Sequence, residues 1–394
     1  MSAQATKGSG AGMVTRTRDQ VSGGMDSVRD AWGRLPGWGR WTVYLALIAG
    51  ALLLPSRSIG QFMTPQSDWP TVLFYPIGVF MLLAIGLNIV VGQAGLLDLG
   101  YVAFFAIGGY LMAVLGTKYS WGFWQIMLVG VAASAVSGVI LGAPTLRLRG
   151  DYLAIVTLGF GEIVRKVAEN TDYIGGPRGI AGIPHPPSFL TDFEIGGVTP
   201  FRYGVLDPRP YYYLLVVMIV LVIIFARRLE HSRVGRAWAA IREDEDAAEL
   251  MGVPTFKFKL GAFAIGAAIG GATGVAWAGK VISIIPNNFP FILSATILAA
   301  VVLGGSGNIP GVMLGAFLIA WLPERFRELQ DYRVMAFGAV LVLMMILRPE
   351  GLLPSRRRKA ELAEGGGGSG HLGAEVARPE AGPDPDAETV VATK

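Results

Sequence analysis

The chain has 394 residues, of which 52% are hydrophobic and 16% charged, with a mean hydropathy of +0.50. Soluble chains carry roughly 25% charged residues, so this composition describes a polytopic membrane protein. The lack of cysteine excludes a disulfide scaffold, and basic residues that gather on no soluble unit argue against nucleic-acid binding.

Residues 1–37, rich in Gly, Ser and Thr with basic residues in excess, read as a solvated cytoplasmic arm. A cleaved signal peptide would start its apolar stretch nearer Met1, so the run from Trp41 reads as a retained first span. A crossing helix needs roughly 17 to 25 mostly apolar residues, because each adds about 1.5 Å and the hydrocarbon is about 30 Å thick. Segments of that kind are 38–55, 71–92, 97–116, 121–144, 152–168, 210–226, 258–280, 290–306, 309–323 and 333–348. The expected fold is therefore an all-α polytopic membrane protein of about ten transmembrane helices, with the transmembrane domain at 38–354. Positive-inside bias tests the parity. With the N-terminus inside, ten spans put Arg147, Arg149, the Arg-rich loop 227–257 and the basic end from Arg348 to Lys359 in the cytoplasm. The proline-rich connection 169–210 then falls outside, and both termini are cytoplasmic. Residues 355–394 hold a GGGGSG run, prolines and no aromatic residue, so they read as a disordered acidic tail. The net charge of +4 hides this tail: 360–394 carry −5 and the remainder +9.

Span 258–280 repeats glycine at Gly266, Gly270 and Gly274, a small-residue face that admits close helix packing. Two apolar stretches are broken by similar clusters, Gly92-Gln93-Ala94-Gly95 and Gly304-Gly305-Ser306-Gly307. Paired interruptions point to internal repeats and to a substrate path. Between Thr71 and Gly116 Asp98 is the one formal charge. It serves either as a proton or cation site, since charge inside the membrane is expensive, or as a cap at the start of the third span, the commoner role. Glu162 and Lys166, four apart on a helix, are spaced to pair.

Catalytic chemistry finds no support. His185, His231 and His371 fall in an external loop, a cytoplasmic loop and the tail, so they form no metal cluster. Gly274 to Val281 approaches the phosphate-binding G-x-x-x-x-G-K-[ST], but Val281 lacks the hydroxyl and the string ends a membrane span. No cofactor or metal is expected in this chain, and ATP-driven work would need a partner chain. The strongest local feature is the cytoplasmic stretch 242–254. It runs ten residues without Gly or Pro, then stops at Gly252 and Pro254. One short helix is expected, with Ala247, Ala248, Leu250 and Met251 on a contact face that wants a partner.

Asp246-Ala247-Ala248-x-x-x-Gly252 resembles the loop by which ABC importer permeases dock into their ATPase subunits. Leu146 to Ile163, which reads LRLRGDYLAIVTLGFGEI, is similar to the signature stretch of the LivM-type permease of branched-chain amino acid ABC importers. So are Gly100-Tyr101-Val102-Ala103-Phe104-Phe105, Gly175-Gly176-Pro177, Gly235-Arg236-Ala237-Trp238 and Val302-Leu303-Gly304-Gly305, and the likeness runs from about Thr71 to about Pro354. One departure is Pro286-Asn287-Asn288-Phe289, where the family typically has an acidic residue after the proline.

The resemblance implies a permease for leucine, isoleucine or valine in a bacterial plasma membrane. It also implies a homologous second permease subunit, two ATPase subunits that bind ATP and Mg, and an extracytoplasmic substrate-binding protein. Relatives carry urea, short amides or other amino acids; an ion-coupled secondary transporter is the rival and would need titrating intramembrane carboxylates, for which only Asp98 and Glu162 offer themselves. Coupling to the ATPase is expected at Arg242, Glu243, Asp244, Glu245, Asp246, Ala247, Ala248 and Gly252. The candidate substrate path comprises Asn88, Gln93, Asp98, Tyr101, Thr157, Gly159, Gly161 and Glu162, and the candidate binding-protein contacts are Gly175, Gly176 and Arg178.

Overall fold

The computed structural model describes residues 67–146, 151–188, 202–204, 207–325 and 351–353, with a few isolated positions besides. The expected arm 1–37, the tail 355–394, Arg147, Arg149 and nearly all of the expected spans 38–55 and 333–348 lie outside the described residues.

Asp68 opens the first described span. Its carboxylate accepts from the Thr71 N–H (3.3 Å) and hydroxyl (2.6 Å), and Pro70 sits in the first turn, where a missing N–H costs nothing. Helix α1 (Trp69–Gln93) runs 25 residues and contains two π-helical stretches, Leu73–Gly78 and Ile89–Gln93. In the first, Pro76 lacks an N–H and Tyr75 leaves helical geometry (φ −138°, ψ 124°), so the regular ladder is interrupted. Then come α2 (Val102–Lys118), α3 (Phe123–Thr145), α4 (Asp151–Asn170) and α5 (Arg209–Glu230). Two short helices, α6 (Arg233–Glu243) and α7 (Glu245–Leu250), lead into α8 (Thr255–Ala278), α9 (Phe291–Gly304) and α10 (Ile309–Arg325).

Helix α8 is the centre of the bundle, with α3, α2 and α1 packed around it. Its glycines are the reason they come so close. A Cβ at Gly266 would meet Val90, one at Gly270 would lie 3.1 Å from Phe104 Cβ, and one at Gly274 would strike the Phe105 carbonyl. On another side of α8, a Cβ at Gly271 would strike the Ser134 hydroxyl of α3. The small-residue face expected from the sequence is thus a packing face, and the contacts it permits bring backbones within van der Waals reach.

Among the described residues, five stretches are long and apolar enough to cross a membrane: α1, α3, α5, α8 and Pro286–Gly304, which contains α9. Helix α2 is apolar but only 17 residues, about 25 Å. Helix α4 has the length but carries Glu162, Arg165, Lys166 and Glu169, and α10 has 17 residues. Eight of the ten expected segments are therefore helices, whereas the count of ten crossings is not reproduced among the described residues. The outward faces of α3 and α5 expose Leu128, Ile140, Val217 and Leu221, as lipid-facing helices do.

The mostly helical architecture expected is observed, with one two-stranded pairing among the loops. Strand β1 (Ile180–Ala181) pairs antiparallel with β2 (Ser283–Ile284), Ile180 opposite Ile284. Loop segments that return side by side at one end of the bundle satisfy their backbone groups on each other. A Cβ at Gly179 would collide with the Ile284 carbonyl, and Gly179 itself sits at φ +71°, so glycine is required on both counts.

Candidate functional site

The two glycine clusters singled out in the sequence come together. Helix α1 unwinds through Ile89–Gln93 into a turn in which the Ala94 N–H donates to the Ile89 carbonyl (3.1 Å) and the Leu96 N–H to the Val90 carbonyl (3.0 Å). Helix α9 stops at Gly305 (φ +103°) and the chain turns through Gly307 (φ +86°) into α10. Asn88 joins the breaks. It is wholly buried in α1, and its Oδ1 accepts from the Gly307 N–H at 2.8 Å, 219 residues away. A Cβ at Gly92 would land on both Asn88 Oδ1 and the Gly307 nitrogen, so no other residue fits that position.

Polar side chains on the last turns of α1 and in the turn beyond it keep part of their capacity unused. Asn88 Nδ2, both amide atoms of Gln93 and Asp98 Oδ2 are buried and make no hydrogen bond among the described residues. Buried polar groups are paired in the great majority of cases, and one left open costs about 1–3 kcal/mol. Asn88, Gln93 and Asp98 are thus the members of the expected substrate path that offer chemistry. Asp98 Oδ1 accepts from the Gly100 N–H (2.8 Å), so it caps the turn before α2. The cap on α2 itself comes from elsewhere: the Val102 N–H donates to the Ser294 hydroxyl of α9 at 2.9 Å.

The remaining expected path residues do other work. The Tyr101 hydroxyl donates to the Gly266 carbonyl (2.8 Å) and ties α2 to α8. The Thr157 hydroxyl accepts from the Leu99 N–H and donates to the Ala154 carbonyl, both at 3.0 Å. Gly161 lies against Gly100. Gly159 and Glu162 lie on a different side of α4; Gly159 faces open space within an exposed apolar stripe of Tyr152, Ile155 and Ile163. The expected Glu162–Lys166 pair is not formed. Glu162 pairs with Arg165 (2.7 Å), one turn on, and Lys166 with Glu169 (2.8 Å), because each cation has a carboxylate at three residues' distance. Solvent-exposed pairs of this kind contribute little to stability.

The loop between α5 and α8 is the second part of the site. The Ser232 hydroxyl accepts from Val234 and Gly235 N–H groups and starts α6. The single helix expected from residue 242 is instead broken at Asp244 (φ −154°, ψ 112°). Its carboxylate accepts from the Ala247 N–H (2.9 Å) and caps a new helix, α7. The expected contact face divides accordingly. Ala248 is buried against the chain's own body, whereas Ala247, Leu250 and Met251 are exposed, the last two almost fully. Gly252, at φ +86°, makes the exit turn.

Three anchors hold the loop to the bundle. Trp238 Nε1 donates to the Phe258 carbonyl (2.7 Å), Glu245 pairs with the buried Lys259 of α8, and the Arg242 guanidinium donates to the Gly92 carbonyl. Of the expected coupling residues, Arg242, Glu245 and Ala248 thus serve the inner attachment, while the exposed Asp244 caps α7. Glu243, Asp246, Ala247 and Gly252 face outward. Trp238 and Lys259 lie outside the expected coupling set; Lys257 and Lys259, two lysines in the first turns of an otherwise apolar helix, are the signal that could have found the second.

At the opposite end of α8, the expected binding-protein residues lie in a tight turn. Gly175 (φ +92°) separates two single-turn helices, the second of which Gly176 (φ +51°) opens, and Arg178 is exposed. Nearby, the Tyr211 hydroxyl meets His185 Nδ1 at 2.7 Å, and the Lys280 amine lies 5.2 Å from the Tyr211 ring; burial pushes that amine below its ordinary pKa.

An apolar bundle with two interrupted helices meeting over buried amides, and a short exposed helix clamped between two spans, defines a polytopic membrane permease. The chain belongs to the family described as branched-chain amino acid transport system / permease component, whose model matches residues 70–348. It is 43% identical over 299 residues to the high-affinity branched-chain amino acid transport system permease protein LivM of Salmonella typhimurium, covering 73% of this chain and 70% of that one. The probable LivM of Methanocaldococcus jannaschii is 26% identical, covering 73% of this chain and 94% of its own length. The permease protein LivH of Salmonella typhimurium is 24% identical, covering 70% and 91%. No solved structure matches the chain.

Proposed function

We propose that this chain is the transmembrane permease subunit of an ABC importer for branched-chain amino acids in a bacterial plasma membrane. It works beside a homologous second permease, with two ATPase subunits below and a substrate-binding protein outside. The observation that carries the reading is α7: a helix tethered through Lys259 and Trp238 that presents Leu250 and Met251 to solvent, as a docking element requires. Relatives named as LivM and LivH support a paired permease. Of the two carboxylates that a secondary transporter would need, Glu162 is paired with Arg165 at a partly exposed position, and Asp98 caps the turn before α2 through Oδ1.

In liposomes, the chain with all its partners takes up leucine when ATP is supplied, while the chain alone hydrolyses no ATP and takes up nothing under a proton or sodium gradient. Gradient-driven uptake by the chain alone would overturn the reading in favour of the secondary transporter. Topology has its own check. Both termini and α7 are cytoplasmic in this reading, so an impermeant maleimide labels a cysteine at Ser188 from outside and spares one at Glu249; the reverse pattern inverts the assignment.

A further inference from the structure

Among the described residues, Arg242 directly connects the loop that presents α7 to the meeting point of the two broken helices. At the C-terminal end of α1 the last carbonyls have no helical N–H to accept from. Ala94 and Leu96 serve two of them; the Gly92 carbonyl takes the Arg242 guanidinium. A cation at this end also complements the helix dipole. The fit is close on both sides, since a Cβ at Gly95 would lie 2.9 Å from Arg242 Cγ and 3.5 Å from its Cα. Three residues along the chain from Gly95, Gly92 is pressed against Asn88 Oδ1 and the Gly307 nitrogen. Contacts therefore run without interruption from α6 through Arg242 to the α1 break, and through Asn88 to the α9 break. Arg242 stands two residues before Asp244, the joint between α6 and α7. A push on α7 reaches it within one turn.

We propose that Arg242 is a positioning residue that latches the paired breaks as a gate, and that displacement of α7 by the ATPase subunits opens the gate by drawing Arg242 away from Gly92. Gln93 lies inside the latch, between the carbonyl that Arg242 holds and the glycine it packs on. The unused amide atoms of Gln93 and Asn88 Nδ2 supply donors and an acceptor, the groups that a zwitterionic amino acid needs once the gap between Gly92 and Gly307 widens. The inference rests on the importer reading.

The test uses the complete importer in liposomes and reads leucine carried per ATP hydrolysed, with a fixed amount of assembled complex. A residue that only holds the fold lowers the yield of complex and leaves that ratio alone. Arg242→Gln, which loses the charge and the fork of donors, is expected to lower the ratio at least fivefold, and Arg242→Lys to recover part of it. If Arg242→Gln does not assemble, Arg242→Lys alone is compared with the parent chain, and a loss of twofold or more is expected. An unchanged ratio in an assembled Arg242 variant overturns the latch. Failure of the parent complex to carry leucine overturns the importer reading instead, so the two failures are distinct.

Discussion

Helices α1 and α9 end in similar glycine strings, yet their exposed carbonyls are covered in different ways. At α9 the cover is backbone: the Leu352 N–H donates to the Leu303 carbonyl (2.8 Å) and the Leu353 N–H to the Gly304 carbonyl (3.1 Å). Asn308 Nδ2 then closes on the Leu353 carbonyl (2.8 Å), and Gly351 takes φ +85° to bring the segment in against Gly305. At α1 the cover is a side chain from the α5–α8 loop. Backbone pairing fixes two segments along their length, whereas a guanidinium can be withdrawn from a carbonyl without breaking a backbone–backbone hydrogen bond. Two breaks of like composition can thus divide the labour, and in the proposed gate the α9 break is the fixed abutment and the α1 break the part that moves.

The largest effect is expected where the moving side is seated. Ala248 is buried under α7, which packs on α6 and α8. Ala248→Asp puts a carboxylate there with no partner, at a cost of several kcal/mol, on the order of 3. The loop then detaches, and the variant shows a lowered Tm together with lost ATPase binding. Leu250→Ser combined with Met251→Ser, on the exposed side of the same helix, lowers ATPase co-purification with Tm unchanged. If Ala248→Asp keeps the parent Tm, the inner face of α7 is not a seat and the comparison loses its movable half.

Substituting the glycines separates abutment from latch at somewhat smaller cost. A Cβ at Gly304 would lie 2.6 Å from the Gly311 carbonyl carbon and 2.7 Å from Val312 Cα, all backbone that cannot step aside. Gly304→Ala is expected to destabilise by about 2–3 kcal/mol through overpacking, read as a lower Tm and poor recovery from detergent. At Gly95 the obstacle is a flexible side chain, Arg242, and the backbone strain at φ +74° is about 1–2 kcal/mol. Gly95→Ala should therefore lower leucine carried per ATP more than it lowers Tm. Equal behaviour of the two variants would erase the distinction.

Much of this architecture was legible beforehand because apolar length and glycine spacing are local properties. Both breaks could be seen, and so could the close-packing face at Gly266, Gly270 and Gly274. What pairs with what could not be. Asn88 reads as an isolated polar residue in an apolar helix, and its partner, the Gly307 N–H, is a backbone group with no signature. The joint at Asp244 was missed because neither Gly nor Pro marks it; the helix breaks there because the aspartate caps the next turn, a role that competes with helix continuation whenever Asp falls in an acidic run. The contact face of residues 247–251 was misassigned for the same reason, since a helix restarted at Asp244 turns Ala248 inward. Trp238 stood within a recognised string, but its bond to the Phe258 carbonyl depends on a crossing that spacing does not encode.

The smallest effect sharpens the comparison most, because it probes the fixed side without collision or charge. Asn308→Ala removes one hydrogen bond and leaves the half-buried Leu353 carbonyl without that donor, a loss of about 1 kcal/mol. The two backbone bonds at Leu303 and Gly304 remain, so the segment 351–353 stays in place. Tm is then expected to fall by a few degrees, while leucine carried per ATP stays at the parent value, since nothing between Arg242, Gly92 and Asn88 has changed. That outcome contrasts with Arg242→Lys, where the Tm change is of similar size but the transport ratio falls. If Asn308→Ala also lowers the ratio, the α9 break moves during transport, and the gate has two working leaves in place of one leaf against an abutment.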